Sequence, residues 1–414
     1  MKIIRYIWRN FGPAFLKNSK IFDLSLNLLR GNSVSVLKRK YVTKELFEKQ
    51  INNSGSIIQS SELTNFYSSI FRIENEFNYP VKHEAGRFHY VLELRNPIII
   101  GDSSVVILDD KYALYDILFV KDNGNIKFSD PAILSTTSEQ VYLYYRNVKN
   151  NKIKSGILLS GNFSFNYFHF FYEFISRIEY IDSLGLDKSV PFIVDEQSLK
   201  YDQFKELIRY FNKDNRGIVA IKKGVSYKIE HLYYAASPNF IVPNFANLAG
   251  STNITALYNF KNLTYLRNVI LKKKLVDKLS YDKIFISRGK SGKLRNYNEE
   301  AVQAFLVGRG FTVVHPEIYS ILEQASVFHD ASVIIGASGA AFTNLLYCKK
   351  ETKVLCLMAF DVSYSIFATI ASFIGFEIHY LFDDGLALNN KTDLQTSFQI
   401  SIREIDQVLK HWNL

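Results

Sequence analysis

Short apolar runs separated by turn residues dominate the chain from about residue 35 to residue 150. Runs such as residues 88–94 and 104–108 are rich in β-branched and aromatic side chains, a pattern that is typical of strands. Acidic sequences at 109–110 and 122–124 have the composition of turns, where a carboxylate is more often solvated than bound to a metal. This segment is therefore predicted to be mainly β-structure.

From residue 155 the pattern changes to an alternation of strands and helices. The predicted strands are residues 156–160, 190–194 and 217–221, and the predicted helices are residues 167–184 and 201–211. Because parallel strands need long crossover connections, this alternation predicts a parallel sheet covered by helices.

A basic amphipathic helix is predicted for residues 257–280, and a second alternating block follows it. Its predicted strands are residues 283–287, 311–314, 331–335, 353–357 and 377–381. Its predicted helices are residues 298–308, 320–328, 341–347 and 364–374. Five strands with intervening helices make a complete doubly wound domain. The predicted fold class is therefore α/β, with two Rossmann-type domains that face a cleft as in the GT-B architecture, after an N-terminal helical and β-rich extension.

The first 34 residues form a distinct arm. Apolar residues recur there at helical spacing between lysines and arginines, and they are Ile4, Ile7, Trp8, Phe11, Phe15 and Leu16. Such a pattern suits a helix that lies on an anionic membrane surface, although Gly12 and Pro13 interrupt it. An arm packed on the body of the protein has the same pattern, and the sequence does not separate the two interpretations.

Composition narrows the class of protein. The chain has 414 residues, of which 47% are hydrophobic and 22% charged, so it has enough apolar material for two cores and is not a disordered chain. We find no apolar run of about 18 residues and no secretory signal pattern, so we expect a cytoplasmic protein. The two cysteines, Cys348 and Cys356, are predicted to be buried core thiols rather than a disulfide or a metal site.

The net charge of +10 predicts affinity for polyanions. No helix-turn-helix, zinc-finger or RNA-binding motif is present, so we expect no nucleic-acid partner. Nucleotide sugars, acidic polysaccharides and anionic lipid headgroups remain as candidate partners.

Three loops follow predicted strands at the edge of the sheet where doubly wound proteins bind ligands. After residue 335, small residues let a backbone approach phosphate, and the candidate donors are Gly336, Ser338, Gly339, Ala340, Thr343 and Asn344. After residue 287 comes a loop rich in cations, with Arg288, Lys293 and Arg295 as candidate ligands of a diphosphate. Each loop has a simpler interpretation, namely a tight strand-to-helix turn for the first and a solvated basic loop for the second.

The third loop follows Ser160 and leads into a helix that carries His169 and Glu173. Their spacing of four residues places both on one helix face. An imidazole can accept the proton of a hydroxyl group, and a carboxylate can orient it. A histidine in so aromatic a helix is also typical of a satisfied core residue.

Taken together, the motifs resemble glycosyltransferase family 61. The matching segments are Asn166-Tyr-Phe-His169 with Glu173 and Arg177, Ile286-Ser-Arg288 with Arg295-Asn-Tyr-Asn298-Glu299, Gly310-Phe-Thr-Val-Val-His-Pro-Glu317 with Glu323-Gln324, and the loop Gly336–Asn344. The resemblance covers about residues 155–382, and both the order and the spacing of the motifs agree. One position departs from the family pattern, because Ser338 stands where the family usually has histidine.

The resemblance implies an inverting transferase that uses a nucleotide sugar, for which we expect a UDP-sugar, and no metal or other cofactor. On this basis His169 is the candidate base with Glu173 supporting it, and Arg288 and Arg295 stabilise the leaving group. Asn166, Tyr167, Glu317 and Glu323 are the candidate substrate-binding residues, although Glu323 also fits a capping box with Ser320.

The predicted organisation combines the sequence patterns with this resemblance. It comprises the arm at 1–34, an acceptor-side domain at 35–256, a linker at 257–280, a nucleotide-sugar-binding domain at 281–400 and a terminal helix at 401–414. We expect a cell-surface polysaccharide or glycolipid acceptor, such as a bacterial capsule precursor, at the inner face of the membrane. A non-catalytic nucleotide- or glycan-binding protein, or a basic scaffold of the same fold, is the alternative.

Overall fold

The structure is a computed structural model, and it describes residues 34–41, 55–61, 66–70, 79–83, 89–109, 111–115, 130–136, 140–148, 150–241, 256–273, 275–276, 279–289, 296–358, 365–382 and 398–414. The predicted arm at residues 1–34 lies outside the described residues except for its last position, and so do Lys293 and Arg295 of the basic loop. In the described part of the chain no helix is both long enough and apolar enough to cross a membrane.

The strands of the described residues are, in chain order, β1 (Val34–Tyr41), β2 (Gly55–Ser61), β3 (Phe66–Ile70), β4 (Tyr79–His83), β5 (His89–Arg95), β6 (Ile98–Ile100), β7 (Val106–Leu108), β8 (Tyr112–Leu114), β9 (Ile133–Thr136), β10 (Gln140–Arg146), β11 (Lys152–Leu158), β12 (Phe192–Asp195), β13 (Ile218–Ile221), β14 (Ser226–Ala235), β15 (Phe240–Ile241), β16 (Ala256–Leu257), β17 (Lys283–Ile286), β18 (Thr312–Val314), β19 (Val333–Ala337), β20 (Lys353–Met358) and β21 (Glu377–Phe382). The α-helices are α1 (Tyr167–His169), α2 (Ile178–Asp182), α3 (Asp202–Phe211), α4 (Phe260–Leu271), α5 (Glu299–Val307), α6 (Ile321–Asp330), α7 (Ser365–Ile374) and α8 (Ile402–His411). A π-helix (Phe170–Phe174) and a 3₁₀ turn (Ile175–Arg177) lie between α1 and α2, and further 3₁₀ segments are Ser198–Lys200, Pro316–Ile318 and Ala340–Tyr347.

The chain divides into two compact units. Unit 1 comprises Met1–Thr64 and Gly86–Ala246, and unit 2 comprises Asn65–Ala85 and Asn247–Leu414. The hairpin of β3 and β4 therefore belongs to unit 2, although its sequence lies inside the predicted β-rich extension.

Unit 1 is built on one mixed sheet of 12 strands. Along its main path the order is β13-β12-β11-β14-β6-β7-β8-β1-β10-β9, and β5 pairs with both β14 and β2. The first four strands of this order are parallel, while β14 pairs antiparallel with β5 and β6. The predicted parallel sheet is thus present, and the predicted β-rich extension continues the same sheet instead of standing apart from it.

Strand β14 joins the parallel strands to the β-rich extension. Its ten residues were not predicted as a strand, because polar and apolar residues alternate irregularly along it. The strand pairs with β11 on one side and with β5 and β6 on the other, so its side chains meet a different neighbour at each end. The core of this unit gathers residues from all these strands, including Leu92, Leu158, Ile193 and Leu232.

Unit 2 contains a five-stranded, wholly parallel sheet in the order β18-β17-β19-β20-β21. This is the doubly wound order 2-1-3-4-5, as predicted for the second alternating block. All five residues of β19 are buried, which agrees with a central strand covered on both faces. Cys348 and Cys356 are buried free thiols, in agreement with the sequence prediction.

Candidate active site

The parallel strands of each large sheet include a point where the strand order reverses, and both of these points fall on predicted loops. In unit 1 the chain runs from β11 outward to β12 and β13, then returns to place β14 on the other side of β11. In unit 2 it runs from β17 to β18 and returns to place β19 on the other side of β17. Ligands of doubly wound proteins bind beside such switch points, outside the carboxyl ends of the strands. The loops that follow β11, β17 and β19 are therefore the candidate ligand-binding loops.

The helical segment after β11 begins at Asn166, whose side chain accepts a hydrogen bond from the Phe168 N–H (3.0 Å) and caps the first turn. The predicted single helix is in fact divided into α1, a π-helix, a 3₁₀ turn and α2. Buried Asn239 donates a hydrogen bond to the Tyr172 carbonyl inside the π-helix (2.9 Å). A polar side chain from a distant segment thus satisfies a carbonyl where the regular helical pattern changes.

His169 and Glu173 contact each other as their spacing predicts. His169 Nδ1 lies 2.5 Å from Glu173 Oε2, and the two side chains are 16% and 14% exposed. A neutral imidazole that donates from Nδ1 to a carboxylate carries its lone pair on Nε2, so we assign Nε2 as the basic nitrogen from this partner. The pair has the geometry of a histidine base with an orienting carboxylate.

Aromatic rings fix the plane of this imidazole. Phe163 stacks on His169 with ring centroids 5.0 Å apart and planes at 23°, and Phe168 meets it edge-on at 5.5 Å. The next ring along the loop, Phe165, lies 6.1 Å from Phe163 and is 38% exposed. The imidazole is therefore held by packing on its face as well as by the carboxylate at its edge.

Arg177, the last member of this motif, supports the helix from inside unit 1. Its Nε donates a hydrogen bond to the Glu173 carbonyl (2.8 Å), and its guanidinium carbon lies 4.9 Å from the Phe174 ring centroid and 5.5 Å from that of Tyr234. The residue is buried, so these contacts join the helical segment that carries the pair to the interior of unit 1. Tyr167, a predicted substrate-binding residue, is half-buried and stacks on Phe171.

Buried carboxylates lie beneath the loop, and sequence analysis missed them. Asp195 ends β12, and its Oδ2 accepts hydrogen bonds from the Gly161 N–H (3.1 Å) and the Ser164 hydroxyl (2.6 Å). Asp130 accepts from the Ser104 N–H (2.8 Å). Burial raises the pKa of both Asp130 and Asp195 to about 6, despite the hydrogen bonds that lower it. A carboxylate on the last residue of a buried parallel strand is the signal that would have identified Asp195.

In unit 2, the turn after β17 is fixed by Glu299 at the start of α5. One oxygen of Glu299 accepts hydrogen bonds from the Ser287 hydroxyl (2.7 Å) and the Arg288 N–H (2.7 Å). The Gly289 N–H donates to the Ser287 hydroxyl (3.0 Å), and Gly289 has a φ of 55°, in the left-handed region that favours glycine. Glu299 belongs to the predicted motif, although we assigned it no role from the sequence.

Arg288 joins the two candidate loops of unit 2. Its Nη2 donates a hydrogen bond to the Ser338 carbonyl (2.8 Å), across the switch point from β17 to β19. A Cβ at Gly339 would lie 3.2 Å from the same nitrogen, so glycine at this position leaves room for the guanidinium. Burial lowers the pKa of Arg288 from its ordinary value, which is so high that the group stays charged.

The loop after β19 leads into the 3₁₀ helix Ala340–Tyr347. Its first hydrogen bond runs from the Phe342 N–H to the Gly339 carbonyl (3.0 Å), so the N–H groups of Ala340 and Ala341 precede the helical ladder. Backbone N–H groups at such a position suit an anion. The Ser338 side chain lies within hydrogen-bonding reach of the buried Cys356 thiol.

Thr343 and Asn344, predicted as side-chain donors to the ligand, are fully buried. The Asn344 amide donates to the Gln324 side chain (2.8 Å), and Gln324 in turn donates to the Tyr319 carbonyl (3.0 Å). These contacts join the base of the loop to α6. Direct ligand binding by these two side chains stays a prediction.

Glu323 forms the capping box that was its alternative interpretation. Its carboxylate accepts from the Ser320 N–H (2.7 Å), and the Ser320 hydroxyl accepts from the Glu323 N–H (3.3 Å). Glu317 is exposed in the short 3₁₀ segment after β18, with its Oε1 4.0 Å from His315 Nδ1. A Cβ at Gly289 would lie 3.1 Å from the same Glu317 oxygen, so the turns after β17 and β18 meet at one edge of the sheet.

No group of three or more histidine, cysteine, aspartate or glutamate side chains is arranged to hold a metal ion among the described residues. Asp383 and Asp384, which follow β21, lie outside the described residues.

Comparison with known families agrees with the motifs. Residues 167–355 match the family model Glycosyltransferase 61. The match begins at α1, which carries His169, and ends within β20, so it includes both candidate loops of unit 2. The chain matches no curated protein. The resemblance predicted from the sequence is thereby confirmed over residues 167–355.

Proposed function

We propose that this glycosyltransferase 61 domain transfers a sugar, with inversion at the anomeric carbon, from a nucleotide sugar to a hydroxyl group of a glycan or glycolipid acceptor. The observation that carries the proposal is the 2.5 Å contact between His169 and Glu173 beside the switch point of unit 1. A histidine oriented in this way is suited to general-base chemistry near neutral pH.

His169 Nε2 is the proposed proton acceptor. An oxygen lone pair of the acceptor hydroxyl forms the new bond to the anomeric carbon, and the bond between that carbon and the diphosphate oxygen breaks with its electron pair. The hydroxyl proton passes to Nε2, and the Glu173 carboxylate at Nδ1 stabilises the imidazolium that results. One such displacement inverts the configuration of the sugar.

The leaving diphosphate is the proposed ligand of the unit 2 loops. Arg288 brings a guanidinium to the switch point, and the N–H groups of Ala340 and Ala341 begin a helix a few residues away. A guanidinium and helical N–H groups both favour the negative charge that develops on a departing diphosphate. Arg295 and Lys293 are proposed to add charge to the same ligand.

The proposed acceptor is a cell-surface polysaccharide or glycolipid precursor of the bacterial capsule type, handled at the inner face of the membrane. The net charge of +10 supports an anionic acceptor or surface. The exposed ring of Phe165, next to the Phe163–His169 stack, offers an aromatic face to a sugar ring. A UDP-sugar is the proposed donor, and we expect transfer to persist in excess chelator because the proposed groups supply the needed charge themselves.

A thermal-shift screen against UDP-, GDP-, CMP- and dTDP-sugars tests the donor site. A ligand at 100 times its Kd stabilises the folded protein by about 2.7 kcal/mol. We expect one nucleotide class to raise the Tm of the wild type and of the control Arg309→Ala, but not that of Arg288→Ala. The control removes a guanidinium that pairs with Asp406 on the surface. A shift that survives in Arg288→Ala would contradict the assigned site.

Turnover separates an enzyme from a binding protein of the same fold. The donor found in the screen is incubated with candidate glycan and glycolipid acceptors, and the anomeric configuration of the product is determined by NMR. An inverted product supports the proposal, a retained configuration contradicts the mechanism, and donor binding with no transfer to any acceptor would favour the non-catalytic alternative.

A further inference from the structure

Phe163 has an unusual backbone conformation beside the proposed base. Its φ is 66°, in the left-handed region that is unfavourable for a residue with a bulky side chain. Strained residues of this kind persist where the surrounding structure holds them, and they concentrate at functional sites. The ring that this conformation delivers stacks on His169 at 5.0 Å. The strain therefore accompanies a contact with the proposed base itself.

Asp195 holds the loop on both sides of Phe163. Its Oδ2 accepts hydrogen bonds from the Gly161 N–H (3.1 Å), two residues before Phe163, and from the Ser164 hydroxyl (2.6 Å), one residue after it. Its Oδ1 accepts from the Asp102 N–H (2.6 Å), which anchors the carboxylate to a second loop of unit 1. The side chain of Asp195 is buried, so water does not compete for these bonds.

A second set of contacts holds Asn162, the residue between Gly161 and Phe163. The Asn162 N–H donates to the Ser104 hydroxyl (3.0 Å), and the Ser104 N–H donates to buried Asp130 (2.8 Å). Three of the four residues from Gly161 to Ser164 are therefore held by side chains from other loops, while Phe163 points its ring toward His169. Nothing in this arrangement places Asp195 in contact with the imidazole itself.

We infer that Asp195 is a positioning residue for the proposed base: by holding residues 161–164 it keeps the Phe163 ring stacked on His169 and so fixes the plane of the imidazole. The inference rests on the proposed role of His169. Asp195 exchanges no proton with the substrate in this role, and its effect reaches the reaction through Phe163. Asparagine at position 195 offers one acceptor oxygen in place of two, so at least one of the N–H and O–H donors loses its partner.

The position of the Phe163 ring can be measured without any assay of transfer. Protons over an aromatic face are shifted upfield, so the ring protons of His169 report the stack in spectra of protein with ¹³C-labelled histidine. The chain has eight histidines, and His169→Gln identifies the relevant signal by its loss. Phe163→Leu supplies the signal position of an unstacked imidazole.

We expect Asp195→Asn to move the His169 signal downfield, most of the way to its position in Phe163→Leu. Ser164→Ala removes one of the bonds to Asp195 and is the milder variant if Asp195→Asn does not fold; we expect a smaller shift in the same direction. The matched control is Asp182→Asn, which removes a partly buried carboxylate paired with Lys213, at the end of α2. A His169 signal that stays at its wild-type position in folded Ser164→Ala and Asp195→Asn would overturn the inference.

Kinetics then connect the ring to the reaction. In Asp195→Asn we expect kcat to fall by about 10²-fold, the size of effect that a displacement of about 1 Å in a catalytic group produces, with the donor KM little changed. A fall in kcat with an unshifted His169 signal would contradict the positioning role. If the wild type shows no transfer, the proposed function fails, while the spectra still decide whether Asp195 holds the ring.

Discussion

The imidazole of His169 is constrained on two sides, by the Glu173 carboxylate at Nδ1 and by the Phe163 ring on its face. These constraints leave Nε2 as the nitrogen that can accept a proton. A core histidine, the simpler interpretation of the sequence, would have both nitrogens satisfied inside the protein and would matter for stability rather than for rate.

Replacing His169 by glutamine tests whether this residue is a general base or a core histidine. We expect His169→Gln to lower kcat by about 10²- to 10⁴-fold, the usual contribution of general-base catalysis, while donor binding is retained. Glu173→Gln should give a smaller loss, since it removes the orienting charge but leaves the imidazole in place. The measurements are kcat and the donor-induced thermal shift. His329→Gln, a half-buried histidine paired with Asp330, is the control; equal rates in His169→Gln and this control would exclude the base assignment.

The environment of Arg288 leads to a separate prediction about the affinity for the donor. Its guanidinium is held by the Ser338 carbonyl at a distance of 2.8 Å and is close-packed against Gly339, an arrangement that depends on the planar shape of the group. Lysine keeps the charge but donates from a single nitrogen, so we expect Arg288→Lys to weaken donor binding about 10- to 100-fold, in line with the loss of one or two charge-assisted hydrogen bonds. Isothermal titration measures the Kd, with Arg309→Lys as control. Binding of unchanged strength would show that charge alone suffices.

At the scale of elements, the loop after β11 packs directly on the π-helix that follows it. A Cβ at Gly161 would lie 2.6 Å from Phe174 Cε1 and 2.8 Å from the Ser104 hydroxyl oxygen. Phe174 is itself buried, so its ring cannot retreat without disturbing the core. The absence of a side chain at residue 161 therefore sets the distance between the loop and the helix that carries Glu173.

The substitution Gly161→Ala tests this close contact. We expect the free energy of unfolding to fall by about 1–3 kcal/mol, the usual effect of overpacking, and kcat to fall as well because the loop and the helix separate. Gly217→Ala is the matched control in the same unit, since a Cβ there would meet nothing closer than 3.9 Å. Urea unfolding and kcat are measured for both variants. Wild-type stability in Gly161→Ala would show that the loop tolerates the added methyl group.

Most elements after residue 155, although not β14, were predicted within a few residues because local signals agree with the fold there. Helix α3 buries Phe204, Leu207, Ile208 and Phe211 at helical spacing, and the wholly apolar β19 lies in the middle of its sheet. The contact of His169 with Glu173 was foreseeable for the same reason, since spacing along one helix decides it. The capping box of Glu323 was foreseeable from four consecutive residues.

Features that depend on distant partners were not foreseeable. Inside the π-helix, the Tyr172 carbonyl accepts a hydrogen bond from Asn239, which lies 67 residues away in the sequence. Strand β14 has no regular alternation because its neighbours differ along its length. Asp195 acquires its role only because β12 lies beside β11, and Arg288 finds its partner in a carbonyl 50 residues later. Sequence patterns give the elements, whereas the neighbours of each strand end decide which side chains meet.

At the scale of the whole molecule, unit 1 contains buried carboxyl groups whose pKa is raised by burial, and the described residues of unit 2 show no counterpart. Burial raises the pKa of Asp130 and Asp195 from 3.8 to about 6. Since the unfolded chain releases these protons near pH 4 and the folded chain near pH 6, the groups favour folding most at low pH. Their contribution declines as the pH rises from about 4 to about 6, by on the order of 3 kcal/mol in total for each group.

Hydrogen exchange measured by mass spectrometry can test this prediction unit by unit. Between pH 4.5 and pH 7.5 we expect the protection factors of peptides from residues 150–241, corrected for the intrinsic exchange rate, to fall relative to those from residues 296–358. The variant Asp195→Asn cannot ionise at this position, so we expect a smaller fall in its protection factors. The stability of unit 1 in the wild type should therefore decline relative to that of the variant as the pH rises. A difference between wild type and variant that is constant across this range would show that Asp195 does not titrate between pH 4.5 and pH 7.5. The peptides of unit 2 serve as the control in the same sample, since they report the effects of pH that both units share.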